Sequence, residues 1–201
     1  MEGKESSKNN GTKKKGLTVV DMTKVALMAA LFCVLAPHTI NLPISPVGIT
    51  LGSFLVYLAG ALLGPYLGSI SILLYLIIGF AGLPVFSGYT SGAAKIVGPT
   101  GGYLIGYIPC AFIIGLFMKK YKKGIQGILV ILIGAVVGTA VLYTFGTIWF
   151  LIVYTKGITL KDALGKCVIP FLPLDTVKII VSAILVPPVY AALKRLETEG
   201  K

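Results

Sequence analysis

The sequence predicts an all-α fold, an integral membrane bundle of six transmembrane helices, and three observations support this prediction. Hydrophobic residues make up 56% of the chain and charged residues only 12%, well below the charged share of an ordinary soluble domain. Long apolar segments separated by Gly- and Pro-containing turns fill nearly all of the chain after Asp21. These segments are continuous rather than alternating, which favours helices over a transmembrane β-barrel.

Six apolar segments are predicted to cross the membrane, and most reach the roughly 20 residues that a helix needs to span the hydrocarbon. The second segment is short and runs into Gly64-Pro65, which predicts a tight hairpin to the third. The fifth is long enough to tilt or to extend beyond the lipid. In chain order the segments are Met22–Ile40, Ile49–Leu63, Tyr66–Leu83, Thr100–Met118, Gly124–Tyr154 and Pro170–Leu193.

One membrane domain, residues 21–201, is expected after a short tail of residues 1–20. The tail is polar and rich in Lys, Ser and Asn, a composition typical of disorder. The first apolar segment has full length and no small-residue cleavage site, so we expect it to be retained rather than removed as a signal peptide.

The distribution of lysines predicts the orientation. The tail, the connection Lys119–Lys123 and the C-terminus carry most of the basic residues, and all three share one side if six helices alternate. The positive-inside rule then places both termini in the cytoplasm. The net charge of +11 reflects this topology and an attraction to anionic membrane lipid. No folded domain presents these lysines to nucleic acid, so no nucleic-acid partner is expected.

Motifs for catalysis and for ATP or metal binding are absent from the sequence. It contains no Walker A motif, no H-E-x-x-H and no G-x-S-x-G. His38 is the only histidine, and the three cysteines lack metal-ligand spacing. No enzymatic activity, metal or cofactor is therefore predicted, and any ATP-driven motor must be another polypeptide.

Asp175 and Lys178 lie three residues apart in the last apolar segment. A charge inside a bilayer span costs roughly 2.5–3.5 kcal/mol on insertion scales, so such residues pair, face a polar cavity or act on a ligand. The spacing places both side chains on one helical face. Two interpretations follow, an internal ion pair that joins helices and a buried ligand site.

Glycine-rich connections on the predicted external side favour the ligand site. They span Gly79–Gly92 and Gly98–Tyr103, where the backbone can approach a ligand closely. Pro99 at a helix start directs the N–H groups of Thr100, Gly101 and Gly102 outward, as a receptor for an anion or a carbonyl oxygen. Together with the charged pair, these connections suggest a binding pocket that opens to the outside.

Several motifs occur in an order that resembles the biotin-specific S components (the BioY family) of energy-coupling-factor transporters. The resemblance covers Thr23 to Lys194. It implies a six-helix S component in the bacterial plasma membrane that captures biotin from outside and docks on a transmembrane coupling (T) subunit and two ABC-type ATPases. The motifs are Leu42–Gly52, Ala59–Pro65, Gly82–Phe86, Gly98–Leu104 and Pro173–Lys178.

The resemblance also implies roles for individual residues. Asp175 would accept a ureido N–H of biotin, because an ionised carboxylate only accepts hydrogen bonds. Lys178 would donate to a biotin oxygen, either ureido or carboxylate. Thr100 and the amides of Gly101 and Gly102 would be further donors.

Three aromatic residues, Tyr89, Phe86 and Tyr103, would wall the apolar slot for the biotin rings or else serve in packing. Ala26 and Ala30 form a small-residue pair four apart, which suits close helix contact. Such pairs commonly pack inside a bundle, and the resemblance implies that this one docks the coupling subunit instead.

Two departures from the family's usual P-V-P-I-T-L-Q stretch are Gly48 and Gly52. They keep open the alternative of an S component for another small vitamin. A second alternative rests on the charged pair. It is a structural or regulatory membrane protein in which the pair of Asp175 and Lys178 only joins helices.

Overall fold

A computed structural model describes residues 17–40, 48–153, 157 and 159–199, with side chains to Leu196. Most of the predicted tail, residues 1–16, lies outside the described residues. So do residues 41–47, which carry most of one family motif, and Tyr154 at the end of the fifth predicted span.

Seven helices and one two-stranded ribbon make up the described chain. The strands β1 (Thr39–Ile40) and β2 (Ile49–Thr50) pair antiparallel between the first two helices. The helices are α1 (Val19–Leu35), α2 (Gly52–Phe80), α3 (Ala93–Val97), α4 (Gly101–Met118), α5 (Ile125–Val153), α6 (Leu160–Cys167) and α7 (Leu172–Glu199).

By length and hydropathy, four helices in the described ranges can cross a membrane: α2, α4, α5 and α7. Their outer faces are apolar: on α5, for example, Ile133 and Val136 are each more than half exposed. Exposed apolar surface on this scale suits lipid rather than water. The predicted all-α membrane bundle is therefore confirmed, although four helices meet this criterion where six spans are predicted.

A glycine divides α2 into two helical segments. Gly64 has φ +80° and ψ −175°, a conformation that L-residues other than glycine rarely adopt, and Pro65 follows it. The predicted hairpin lies at this position. The break packs closely on α4, since a Cβ on Gly115 would lie 2.2 Å from the nitrogen of Pro65.

The short helix α6 was not predicted from the sequence. It begins with a capping box, in which Thr159 Oγ1 accepts a hydrogen bond from Asp162 N (3.3 Å) and Asp162 Oδ2 accepts one from Thr159 N (3.4 Å). The hydrogen bonds from Thr159 lower the pKa of the Asp162 carboxyl below its usual value. Helix α6 buries Ala163 and Cys167 against the bundle before the chain enters α7.

Candidate functional site

Asp175 lies in the first turn of α7, where it is 5% exposed. Its Oδ1 accepts hydrogen bonds from Lys178 Nζ (2.9 Å) and Ser53 Oγ (3.0 Å). Its Oδ2 accepts one from the hydroxyl of Tyr143 at 2.6 Å. Since Ser53 belongs to α2 and Tyr143 to α5, this carboxylate joins three helices.

The ammonium of Lys178 is also fully engaged. Its Nζ donates to the Thr50 carbonyl oxygen (2.8 Å), to Ser53 Oγ (2.9 Å) and to Asp175 Oδ1 (2.9 Å). These contacts use the three donors that an ammonium has. A buried ion pair is tolerated when its remaining donors and acceptors are satisfied in this way. The predicted pair is thus present, and it joins helices as the first interpretation requires.

The same pair lines a cavity, as the second interpretation requires. The cavity encloses about 640 Å³ of space outside protein atoms, its open mouth included. Its polar wall contains Thr50, Ser53, Tyr143, Asp175 and Lys178. Aromatic side chains form another part of the wall, namely Tyr75, Tyr103, Tyr107 and Phe171.

Of the residues predicted from the sequence, Asp175, Lys178, Thr100 and Tyr103 line this cavity. The hydroxyl of Tyr103 donates to the Cys167 carbonyl oxygen at 3.2 Å, which fixes the ring against the segment that leads to α7. These four residues come from α7 and from the start of α4, so the structure brings the two predicted regions together.

Gly101 and Gly102 do not line the cavity, and their role here is close packing. The amide of Gly101 donates to the Gly98 carbonyl oxygen at 3.0 Å within a turn. A Cβ on Gly102 would lie 2.2 Å from Cβ of Trp149 on α5. Any side chain at residue 102 would therefore push α5 away from α4.

Phe86 and Tyr89 also lie outside the lining. Phe86 is fully buried behind the cavity wall, where its ring meets that of Tyr75 edge-on at 5.6 Å. Tyr89 is 61% exposed, and its hydroxyl shares a hydrogen bond with His38 Nε2 at 3.1 Å. Phe86 therefore supports a wall residue, and Tyr89 lies on the outer surface of the loop.

Six hydroxyl-bearing lining residues were missed from the sequence: Thr50, Ser53, Tyr75, Ser87, Tyr107 and Tyr143. A signal existed on α5, where Thr139, Tyr143 and Thr147 recur every four residues and so share one helical face. A second signal in the sequence was Gly52, a departure from the family pattern. A Cβ at residue 52 would lie 2.6 Å from the Tyr107 hydroxyl oxygen. The glycine at this departure from the family pattern leaves room for Tyr107 at the cavity.

The small-residue pair on α1 faces away from the bundle. Ala26 and Ala30 are exposed, whereas the neighbouring Ala29 is buried. Helix α1 packs on α2 through Ala29 and other buried residues. The pair therefore does not serve packing within the bundle.

Comparisons with known proteins agree with this architecture. The chain is 35% identical to the biotin transporter BioY of Thermotoga maritima over 178 residues, which cover 89% of this chain and 98% of that protein. It is also 35% identical to the biotin transporter BioY of Rhodobacter capsulatus over 176 residues, 82% of this chain and 90% of that protein.

A solved structure gives the same result for the fold. The crystal structure of the S-component for biotin from an ECF-type ABC transporter matches with a TM-score of 0.74 and 31% identity, covering 85% of this chain and 90% of that one. The sequence model of the BioY family matches residues 8–195. The chain therefore belongs to the BioY family.

Proposed function

We infer that this chain is the substrate-capture subunit for uptake of biotin by an ATP-driven energy-coupling-factor transporter. Membership of the family and the similarity to a biotin S-component support this function. The observation that carries it is the cavity, whose lining combines a buried carboxylate and a partly buried ammonium with aromatic side chains. The chain is a binding and transport subunit rather than an enzyme.

The arrangement of groups suits the chemistry of biotin. The ureido ring offers two N–H donors and one carbonyl acceptor, and Asp175 and Lys178 supply the complementary acceptor and donor. Lys178 donates to a ureido or carboxylate oxygen of biotin, and the Thr100 hydroxyl is a further donor at the cavity. Tyr103 walls the slot for the thioether ring, with Tyr75 and Tyr107.

The other predicted site residues act indirectly in this proposal. Gly101 and Gly102 hold the start of α4 close to its neighbours and so fix Thr100 at the cavity. Phe86 supports Tyr75, and Tyr89 lies at the outer loop. Biotin must replace some of the hydrogen bonds that Ser53 and Tyr143 now make to Asp175, and one of the three that Lys178 now donates.

A vitamin-binding panel on the purified full chain in detergent tests this function. We expect one biotin to be retained per chain, and no comparable retention of thiamin or riboflavin. Gly48, a departure from the family pattern, lines the cavity. If this glycine changes the size of ligand that the cavity accepts, the panel will show retention of a different vitamin. Retention of another vitamin in place of biotin would reassign the substrate. Retention of none would favour a structural protein.

We further propose that the chain works with a transmembrane coupling subunit and two ABC-type ATPases, with Ala26 and Ala30 as the docking pair. Their exposure on α1 supports this role, because small residues let two helix backbones approach closely. ATP is then used by the partner subunits, and biotin is the transported ligand.

We also propose six membrane crossings with both termini in the cytoplasm. The break at Gly64 supports this number, since it lets α2 supply two crossings in addition to those of α1, α4, α5 and α7. With six crossings, the lysine-rich connection Lys119–Lys123 follows the fourth crossing and lies on the same side as both termini. This arrangement agrees with the positive-inside rule.

Cysteine labelling in intact cells tests this topology. In a background without the native cysteines, Lys122→Cys should be protected from a membrane-impermeant reagent, and Tyr89→Cys should react. Both positions are exposed on the protein, so the difference reports the side of the membrane. Labelling of Lys122→Cys from outside would overturn the six-crossing topology.

A further inference from the structure

Trp149 is the single tryptophan of the chain, and it lies on α5 beside the turn that leads into α4. Its indole Nε1–H donates a hydrogen bond to the Gly98 carbonyl oxygen at 3.0 Å, across 51 residues of sequence. The side chain does not line the cavity, so the function proposed above gives it no role. Its hydrogen bond nevertheless joins α5 to a segment that reaches the cavity at Thr100.

The residues from Gly98 to Gly101 form a tight turn that carries Thr100. The Gly101 amide donates to the Gly98 carbonyl oxygen at 3.0 Å, so this oxygen accepts hydrogen bonds from both the turn and the indole. Thr100 has φ −91° and ψ −5°, the values of the third residue of a type I turn, and Pro99 occupies the second position, where proline is favoured. Because the proline ring restricts φ, holding the Gly98 carbonyl also holds Thr100.

The indole lies directly against this turn because two glycines leave room for it. A Cβ on Gly101 would lie 3.2 Å from Trp149 Nε1, and a Cβ on Gly102 would lie 2.2 Å from Trp149 Cβ. Close packing alone limits how near the two segments can approach. The hydrogen bond adds a direction, because it weakens steeply when donor and acceptor are misaligned. Together they set the position of the turn relative to α5.

The Thr100 hydroxyl differs from other polar groups of the cavity. Within the described residues its side chain makes no hydrogen bond, whereas Ser53 and Tyr143 both donate to Asp175. A hydroxyl without an internal partner can donate to a ligand without breaking an existing hydrogen bond, so its full contribution counts towards affinity. That contribution depends on where the turn places the hydroxyl.

We propose that Trp149 is a positioning residue for the ligand, whose indole N–H holds the Gly98 carbonyl and so fixes the Thr100 hydroxyl where it donates to biotin. The inference rests on the proposed function, because it takes biotin as the ligand. Trp149 does not contact the ligand and acts through Thr100. Since Tyr143 also belongs to α5 and donates to Asp175, this helix fixes polar groups of the cavity at two separate places.

A double-mutant cycle on the purified full chain in detergent tests this role, with labelled biotin as the probe. Trp149→Phe keeps an aromatic ring but removes the N–H, and it should weaken biotin binding about fivefold. Thr100→Val keeps the branched shape but removes the hydroxyl, and it should weaken binding about tenfold. The combined variant should lose roughly tenfold, instead of the roughly fiftyfold that independent effects would give.

A control variant and a second measurement complete the test. Thr144→Val removes an exposed side-chain hydrogen bond from the same helix and should bind biotin like the parent. Because Trp149 is the single tryptophan, its fluorescence reports this site without a substitution at residue 149. Saturating biotin should shift the emission of the parent, since a ligand bonded to Thr100 restrains the turn that the indole holds. The emission of Thr100→Val should not shift at saturation.

Two results would overturn the positioning role alone. If Trp149→Phe weakens binding by the same factor with Thr100 and with Val at residue 100, the tryptophan serves packing only. If Trp149→Phe does not fold, the fluorescence decides, and an unchanged emission of the biotin-saturated parent would contradict the inference. A parent that retains no biotin would overturn the proposed function and this inference with it, so the two failures are distinguishable.

Discussion

Asp175→Ala should reduce biotin affinity by at least about 30-fold. The substitution removes the acceptor proposed for the ureido N–H. It also leaves the partly buried charge of Lys178 without its carboxylate partner. Truncating one partner of a buried, hydrogen-bonded charge pair typically costs about 2–5 kcal/mol. Stoichiometric binding of labelled biotin to the purified protein measures the loss.

Asp175→Asn separates binding from folding. The amide keeps the shape of the side chain and can still accept from Lys178 through its oxygen, so the bundle should assemble. Biotin affinity should still fall strongly, because the negative charge is gone. Asp162→Ala is the matched control, since it removes one carboxylate from the exposed side of α6 and should leave affinity unchanged. Parent-like binding by both Asp175 variants would move the ligand site elsewhere.

Replacing Ala26 and Ala30 together with leucine should abolish most ATP-dependent uptake while the isolated chain still binds biotin. The added bulk lies on the exposed side of α1, where close contact with the coupling subunit is proposed. Overpacking a close helix contact costs about 1–3 kcal/mol, which is enough to weaken docking. Uptake by the assembled transporter and binding by the isolated chain are measured side by side.

Two control variants separate a loss of docking from damage to the bundle. Ala140→Leu adds bulk to the exposed side of α5, and both uptake and binding should persist. Ala29→Leu adds bulk at a buried position of α1, so it should damage the bundle and reduce binding as well. If the Ala26 and Ala30 variant loses binding together with uptake, the added bulk disturbs the bundle itself and the docking role is wrong.

Local chemistry explains which features the sequence predicted well. The pair of Asp175 and Lys178 lies within one helix, so its spacing alone predicts the ion pair that is found at 2.9 Å. The hairpin at Gly64 and Pro65 likewise follows from two neighbouring residues with restricted backbones. The membrane bundle follows from composition, which does not depend on how the helices are arranged.

Residues that reach the cavity from other helices were harder to predict. Ser53 and Tyr143 lie 122 and 32 residues from Asp175 in the chain, and only packing brings them to the carboxylate. Phe86 and Gly102 were predicted to bind the ligand because their residue types suit a pocket, but neither lines the cavity. Gly79 leaves space that the Phe86 ring fills, and Trp149 occupies the space beside Gly102, so both residues serve packing.

The helical spacing of Asp175 and Lys178 has a consequence for biogenesis. Because both charges belong to the same turn of α7, they enter the bilayer during synthesis as a nearly neutral unit instead of as two separate ions. Helix α7 is also made last among the described helices, after α2 and α5 with Ser53 and Tyr143. The lining of the cavity can therefore be completed only after the final described helix has joined the bundle.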